Sequence, residues 1–464
     1  MLAFLVGLAL ARLDKIGSSW IFIGAFLSIA TIKRKRLFVL CFLLAALCLG
    51  WWRGSLTMQQ LATYQPLQLQ KVILQGTADN DAIYGDKTQL TFDINHAKVV
   101  RPYETNLVGK IKVAGFGAPM VYRGDVVQVE GKLFKTRGSR QASLSFANIV
   151  VEGHHNSTID TVRRKFSAGI QSALPEPLAS FALGLLIGQR STIPDTVNQR
   201  LLAVGLTHLV AVSGYNLTIL VLAVRHLLGK RSKYQSTVLS LLLIGLFLLV
   251  TGLSASIVRA AIVSLLSIGA WYYGRTFRPL LLLSLTAAIT AGWNPLYLWS
   301  DIGWYLSFLA FFGVLVIAPI ITRRLFGDKK VQPLTLILIE TIAAQLMAAP
   351  LIMYIFGQVS LVGIISNLLV VPLVPLAMLV SLIAGLGGML APTLAGWIAW
   401  PARILLTYML DMVTSLSHVP HALTHRSLLL WQMILLYGWV AAICVVLWQK
   451  TAKNATPQQN LDTS

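Results

Sequence analysis

Long apolar runs separated by short polar segments dominate the chain. A window of about 19 residues, the length that a membrane-crossing helix needs, predicts about 11–12 spans. They lie at roughly 2–11, 16–32, 37–54, 206–228, 234–253, 256–274, 279–299, 303–322, 333–356, 361–387, 394–416 and 428–449. The first run is short for a crossing.

Clusters of Lys and Arg between these runs predict the orientation, because cytoplasmic loops of membrane proteins are rich in both residues. Basic residues cluster at 33–36, 230–233, 323–330 and in the tail at Lys450 and Lys453. With the spans above, all four clusters fall on one side of the membrane. The sequence therefore predicts cytoplasmic N- and C-termini in the cell membrane and places residues 55–175 outside.

The external segment has a different pattern, in which apolar and polar residues alternate over short runs such as Gln89 to Asn95 and Lys110 to Ala114. This alternation is typical of half-buried strands. Turn sequences such as Arg123-Gly-Asp125 separate them. Several short strands within about 90 residues predict a small all-β barrel such as an OB-fold.

Together these patterns predict a polytopic α-helical membrane protein with an inserted extracytoplasmic all-β domain that resembles an OB-fold. Between barrel and bundle, an amphipathic helix is expected from Val162, and the 11 apolar residues 178–188 fit an interfacial or re-entrant element. The predicted parts are N-terminal anchors at 1–54, the barrel at 55–155, linker helices at 156–205, a transmembrane domain at 206–449 and a polar cytoplasmic tail at 450–464.

Composition excludes an ordinary soluble protein, since 56% of the 464 residues are hydrophobic, 12% are charged and the mean hydropathy is +0.71. The net charge of +21 does not by itself indicate nucleic acid, because cytoplasmic loops account for such an excess. Cys41, Cys48 and Cys444 all lie in apolar runs, which argues against a disulfide framework or a cysteine metal site. We expect no metal and no cofactor.

Cations and aromatic residues cluster in one hairpin region of the predicted barrel. Such mixtures suit single-stranded nucleic acid, whose bases stack on aromatic rings while cations neutralise its phosphates. The alternative is a solvated barrel edge near anionic lipid. The candidates are Arg123, Lys132, Phe134, Lys135, Arg137, Arg140 and Phe146.

Polar residues interrupt the apolar run that begins at Thr207, namely His208, Ser213, Gly214 and Asn216. They predict contacts with neighbouring helices or with a wet cavity. An intramembrane serine hydrolase is the alternative. It is disfavoured because His208 and Ser213 lie five residues apart, outside the i+3 and i+4 contacts of a helix, and no Gly-x-Ser-x-Gly motif occurs.

Ionisable residues and prolines mark the later spans. Arg259 stands near the start of one span, where it either snorkels to the interface or serves a pathway, and Glu340 is its candidate partner. Pro350 is expected to break or kink the span of Glu340. The run containing Asn367 and Pro372 predicts a discontinuous helix of the kind that lines transport pathways.

The order of these motifs resembles the ComEC-type competence proteins, which pass DNA across the inner membrane. Besides the anchors and the barrel, the resemblance rests on 183–190, on His-Leu-x-Ala-x-Ser-Gly at 208–214, on 258–260, on 303–308 and on 366–372. It implies a membrane channel for one DNA strand and no enzymatic activity. Arg259 would be its pore-side cation, with His208, Asn216, Trp304 and Ser307 supplying hydrogen bonds or stacking; Asp301 begins the block that contains Trp304.

Three departures from that family qualify the resemblance. Asn216 stands where the family usually has a second histidine, and Ser254-Ala-Ser256 replaces a proline. Many members also continue into a metallo-β-lactamase-like domain, whose His-x-His-x-Asp-His motif this sequence lacks. The expectation is that any nuclease is a separate polypeptide.

The resemblance also implies partners. These are single-stranded DNA, the lipid bilayer, an extracytoplasmic DNA receptor and a cytoplasmic helicase-like motor. The motor is needed as an energy source because the sequence contains no Walker motif. A homo-oligomer is compatible with it. A transporter for another anionic polymer or solute remains the principal alternative.

Overall fold

The chain folds into a β-barrel and a helical bundle that contact each other directly. The computed structural model describes residues 1–14, 16–17, 20, 31, 33–84, 89–117, 120–135, 138–154, 158–189, 192–210, 232–251, 255–275, 278–327, 329 and 331–453. Most of the predicted spans 16–32 and 206–228 lies outside these residues.

Seven strands form the barrel. They are β1 (Lys71–Ala78), β2 (Ile83–Tyr84), β3 (Leu90–Arg101), β4 (Thr105–Asn106), β5 (Ile111–Phe116), β6 (Asp125–Lys135) and β7 (Ala142–His154). Alternate residues of the long strands are buried, as the period of two predicts, and Val127, Val129 and Leu144 belong to the barrel core.

The five long strands close on themselves. β1 pairs with both β3 and β6, and the remaining pairs are β3 with β5, β5 with β7, and β7 with β6. Only the β5–β7 pair among these is parallel. The closed order is therefore β1-β3-β5-β7-β6, which leaves no long strand with a free edge.

The helices precede and follow the barrel. They are α1 (Leu2–Leu10), α2 (Lys35–Ala62), α3 (Thr158–Ala173), α4 (Leu178–Ile187), α5 (Asp195–Ala203), α6 (Thr207–Val210), α7 (Lys233–Thr251), α8 (Ala255–Tyr272), α9 (Pro279–Trp293), α10 (Leu296–Ser300), α11 (Ile302–Phe312), α12 (Ala318–Phe326), α13 (Pro333–Phe356), α14 (Gly363–Val370), α15 (Val374–Leu390), α16 (Ala395–Ile398), α17 (Trp400–Ser417) and α18 (Leu430–Lys453). A short hairpin joins β8 (Gln358–Ser360) to β9 (Leu423–His425).

Several helices have the length and composition of membrane spans, as expected for a polytopic protein. Four described helical stretches qualify on both criteria: Lys35–Ala62, Ile302–Phe326, Leu334–Phe356 and Gly363–Leu390. Shorter apolar helices are Leu178–Ile187, Lys233–Leu249, Ser256–Tyr272, Pro279–Trp293 and Leu430–Cys444. Within the predicted span 394–416, α17 is amphipathic, with Leu406 buried and both Arg403 and Asp411 exposed.

The two predicted helix interruptions, at Pro350 and at Pro372, have opposite outcomes. Pro350 does not break α13, which continues to Phe356. By contrast, the run containing Pro372 is discontinuous as predicted, because a 3₁₀ turn at Val371–Leu373 separates α14 from α15. A π-helical turn at Gly313–Ile317, which the sequence analysis missed, joins α11 to α12.

The linker helices pack into the bundle. α3 is amphipathic as predicted, with Phe166 and Ile170 buried and Lys165 exposed. All ten residues of α4 are buried, which contradicts an interfacial position for 178–188, while the re-entrant alternative stays a prediction. Its apolar sequence fits this position, since α4 belongs to the core shared with α15 and α17.

Glycine allows α3 to approach α15 at backbone distance. A Cβ on Gly388 would collide with the carbonyl oxygen of Gly169, and one on Gly385 would meet the ring of Phe166. α1 and α2 approach in the same way, at Gly7 and Gly50. Small residues at such crossings are typical of helix packing in membranes.

We predict that Gly388→Ala lowers the melting temperature of the detergent-solubilised chain by several degrees, because the new methyl group forces α3 away from α15. The matched control is Gly245→Ala in α7, where a Cβ meets nothing within 4 Å. It should leave stability unchanged or raise it by about 0.5–1 kcal/mol. Equal melting temperatures for the two variants would contradict the proposed close contact.

Candidate nucleic-acid interface and membrane pathway

The outer surface of β6 and β7 carries an exposed cation and two aromatic side chains, Phe134 and Phe146. Lys132 is exposed, and its Nζ lies 5.8 Å from the ring centroid of Phe134. Across the ladder, Lys132 pairs with Ser145. Phe146 follows immediately, so three of the predicted binding residues share one face, with Lys135 exposed at the end of β6.

Phe146 has an unusual backbone conformation for an aromatic residue. Its φ is 53°, in the left-handed region, and its side chain is 80% exposed. It lies where the β6–β7 register shifts between Glu130 and Lys132, which is the position of a β-bulge. Such backbone strain costs about 1–3 kcal/mol and persists only where the surrounding structure enforces it. The bulge therefore projects an aromatic ring away from the barrel core.

Two predicted DNA-binding arginines instead make ion pairs within the protein. Arg140 donates from Nε and Nη2 to the two carboxylate oxygens of Asp93, at 2.7 and 2.8 Å. Burial opposes the charged form of Arg140, but the Asp93 hydrogen bonds and charge outweigh it, so its pKa is raised. Arg123 lies 3.8 Å from Asp160 of α3. Arg137 lies outside the described residues.

Sequence analysis did not identify the acidic partners. Asp93 and Asp160 lie 47 and 37 residues from their arginines, with no periodic relation to them. A third carboxylate, Asp81, accepts from Arg163 of α3 at 2.8 Å. Two of these ion pairs, Arg123–Asp160 and Asp81–Arg163, join the barrel to α3.

The loop between β6 and β7 fastens the barrel to the bundle. Asn294 donates to the carbonyl of Ser139 at 3.0 Å, and Ser300 donates to the carbonyl of Gly138 at 2.8 Å. We call residues 294–301 the elbow, since they join α9 to α11. The carboxylate of Asp301, at the end of the elbow, also attracts Arg140 electrostatically.

Arg259 lies on the same side of the bundle. Its side chain is only 3% exposed, and Nη2 donates to the carbonyl of Gly303 at 3.1 Å. Its Nε and Nη1 are buried, and no described residue accepts a hydrogen bond from them. The charge of Asp301 acts on it. Snorkelling to the interface is therefore wrong for Arg259, because its guanidinium is enclosed by protein.

Asp301 and Trp304 make hydrogen bonds at the start of α11. The Asp301 carboxylate caps α11 by accepting from the backbone N–H of Trp304 at 2.9 Å. The buried indole of Trp304 donates to Thr290 of α9 at 3.0 Å. Ser307 is half-buried one turn further along α11. Of the predicted pathway residues, Arg259, Asp301 and Trp304 are thus brought together.

A second polar group surrounds the start of α14. Ser366 and Ser360 donate to the carbonyls of Val204 and Ala203 at 2.6 and 2.8 Å, which satisfies the end of α5. His208 follows on α6, exposed, with Nδ1 3.2 Å from the Gly205 oxygen. Asn367 is half-buried, and its Oδ1 has no partner. Pro372 lies in the 3₁₀ turn.

Three predicted residues of this pathway, Ser213, Gly214 and Asn216, lie outside the described residues. The serine-hydrolase alternative rests on one of them, Ser213. In the part of the chain that the structure covers, no group of three or more metal-ligating side chains occurs.

Glu340 lies elsewhere and does not pair with Arg259. It lines a pocket of about 440 Å³ together with Thr322 and Arg323 of α12. Gly313, in the π-helical turn, contacts the backbone of Ala343 one turn away. The candidate Arg259–Glu340 pair is therefore incorrect, because the partner charge near Arg259 comes from Asp301.

Comparison with known proteins identifies the helical part. The family model described as "Competence protein" matches residues 185–451. A relative named "ComE operon protein 3", from Bacillus subtilis (strain 168), is 26% identical over 227 residues, which are 48% of this chain and 28% of the relative. The match thus spans under a third of that relative's length. No solved structure matches the chain significantly.

We predict that Asp93→Asn releases the loop at 138–140, because a neutral amide cannot replace the bidentate carboxylate. Hydrogen exchange measured by mass spectrometry should become faster in peptides covering this loop and β3. The matched control is Glu104→Gln, which removes an exposed ion pair with Lys98. Exposed ion pairs contribute little to stability, so its exchange should match wild type. Unchanged exchange in Asp93→Asn would contradict the docking role.

Proposed function

The chain belongs to the Competence protein family, and from that premise we propose that it conducts a single DNA strand across the cytoplasmic membrane during DNA uptake. The observation that carries the proposal is the strained, exposed ring of Phe146 beside Lys132, on a barrel fastened to the helical bundle. A strand held on that surface lies on the same body as the membrane helices.

We propose that the barrel is extracytoplasmic. The stretch Ile302–Phe326 has 25 residues, a length of about 37 Å. One end adjoins the elbow that binds the barrel, and the other carries Arg323 and Arg324. Helix α2 likewise begins at basic residues and leads into the barrel at its other end. Since basic loops favour the cytoplasm, this arrangement supports a barrel outside.

We further propose that the barrel is an OB-fold. Its five long strands close in the order β1-β3-β5-β7-β6, with one parallel pair. The OB-fold is a five-stranded Greek-key barrel that binds oligonucleotides and oligosaccharides. The order of the strands and the exposed aromatic surface both support this assignment.

Strand capture would use stacking and charge. Each base presents a π-face that an exposed aromatic ring such as Phe146 can stack against, and Lys132 and Lys135 can neutralise phosphates. From this surface the strand would pass the elbow to Arg259, Trp304 and Ser307. The discontinuous α14–α15 region, with Asn367, would line the path deeper in the bundle.

The proposed partners follow from what the channel needs. Moving a charged polymer across a bilayer requires an energy source, for which we propose a cytoplasmic helicase-like motor. An extracytoplasmic receptor would deliver the DNA, and a nuclease would remove the second strand where that step is needed.

We predict that deleting the gene in a naturally transformable host abolishes the internalisation of labelled DNA, while DNA still reaches the cell surface. Complementation with the intact gene should restore uptake. Normal transformation in the deletion strain would overturn the proposed function and favour a transporter for another anionic solute. Loss of surface binding as well would contradict a role confined to the membrane step.

We predict that Phe146→Asn lowers affinity for single-stranded oligothymidylate roughly tenfold, since one stacking contact is lost. The melting temperature should not fall, because asparagine tolerates a positive φ better than phenylalanine does. Fluorescence anisotropy on the full-length protein measures the affinity. Val150→Ala, at a position 52% exposed on the same strand, is the control and should bind as wild type. Wild-type affinity in Phe146→Asn would remove the ring from the binding surface.

A further inference from the structure

Arg259 is a buried cation that the protein leaves incompletely satisfied. The side chain is 97% buried, since 3% remains exposed, and a single carbonyl accepts from it at 3.1 Å. Nε and Nη1 have no hydrogen-bond partner among the residues that the structure describes. Buried donors without acceptors are rare because each carries the full cost of desolvation.

A purely structural role does not account for this arrangement. A buried arginine that stabilises a fold is normally paired with a carboxylate and fully hydrogen-bonded. Here the charge of Asp301 attracts Arg259, but the two residues make no ion pair. The Asp301 carboxylate is instead occupied in capping α11 at the N–H of Trp304. The Nε and Nη1 donors of Arg259 are therefore buried and lack an acceptor among the described residues.

The location limits what that acceptor can be. Arg259 lies behind the elbow, to which the barrel loop is bonded through Asn294 and Ser300. Arg140 of that loop and Tyr297 of the elbow are electrostatically coupled to the same Asp301. The charge of Asp301 thus acts on two arginines, one from the barrel and one from the bundle. A group with negative charge and several acceptor oxygens would complement the two arginines.

We propose that Arg259 binds a phosphodiester group of the single strand as it passes from the barrel into the bundle, with Asp301 as a fixed counter-charge. This inference rests on the proposed function and adds the ligand group and its binding residue. The open N–H groups of Arg259 would donate to the phosphate oxygens.

Asp301 has a distinct role in this site. A lone buried arginine would hold a phosphate tightly, whereas conduction requires binding weak enough for the group to leave. Because Asp301 is held in place as a helix cap, it lowers the local positive potential without occupying the donors. Each phosphate would therefore be bound briefly and then replaced by the next.

The test compares a short oligothymidylate with its uncharged methylphosphonate analogue, using the full-length chain in lipid nanodiscs. In the Phe146→Asn background, the charged oligonucleotide should raise the melting temperature by several degrees, and the analogue should not. Arg259→Met should abolish that shift and reduce affinity about tenfold or more, as for a lost hydrogen bond between charged groups. The control Arg278→Gln, at an exposed arginine before α9, should retain the shift.

Stability separates a ligand-binding arginine from a structural one. Without oligonucleotide, Arg259→Met should melt at the same or a higher temperature, because an unsatisfied buried cation is removed. Asp301→Asn keeps a capping side chain and should bind the oligonucleotide more tightly and release it more slowly. A lower melting temperature for Arg259→Met, or an unchanged oligonucleotide shift in it, would overturn the proposal.

The two proposals fail in different ways. If the deletion strain takes up DNA normally, the proposed function fails, while the oligonucleotide shift still decides whether Arg259 binds phosphate. If deletion blocks uptake and Arg259→Met behaves as wild type in both uptake and binding, the channel stands and the assigned phosphate site is wrong.

Discussion

The bidentate ion pair between Arg140 and Asp93 is the interaction on which the arrangement of the two parts depends. It fixes the loop between β6 and β7, and that loop carries both carbonyls that the elbow binds. Without it, the barrel would remain tethered at its two ends through α2 and α3. With it, the exposed surface around Phe146 has a defined position relative to the membrane helices.

Within the bundle, buried polar side chains differ in whether their hydrogen bonds are satisfied, and this difference separates structural from functional positions. Ser360 and Ser366 donate to carbonyls at the end of α5, so they complete a helix end that would otherwise be unsatisfied. The indole N–H of Trp304 donates to Thr290, whose hydroxyl in turn donates to the carbonyl of Thr286. Arg259 has two buried donors with no acceptor among the described residues, and it lacks the carboxylate partner that Arg123 and Arg163 have. In an apolar medium such an omission is costly, and its persistence points to a ligand rather than to stability.

Local patterns predicted the local structure well. The alternation at Gln89 to Asn95 predicted part of β3, and Pro372 predicted the interruption between α14 and α15. Both predictions succeeded because a strand and a helix interruption depend mainly on neighbouring residues. The candidate site was less predictable. Arg140 and Arg123 looked free in the sequence, yet Asp93 and Asp160 neutralise them. Arg259 was matched to Glu340 rather than Asp301. Such pairings arise from tertiary packing, and a single sequence contains no local signal for them.

The π-helical turn at Gly313–Ile317 holds one residue more than an α-helical path would. Each residue of an α-helix advances the rotation by about 100°, so the turn offsets the two halves of the stretch Ile302–Phe326. Its first half directs Trp304 toward α9, and its second half directs Thr322 and Arg323 into the pocket beside Glu340. The number of residues in this helix is therefore itself under constraint. A one-residue insertion or deletion would rotate the side chains at one end of the helix relative to those at the other end, although every residue kept its identity. The length of this helix is therefore part of what selection must preserve.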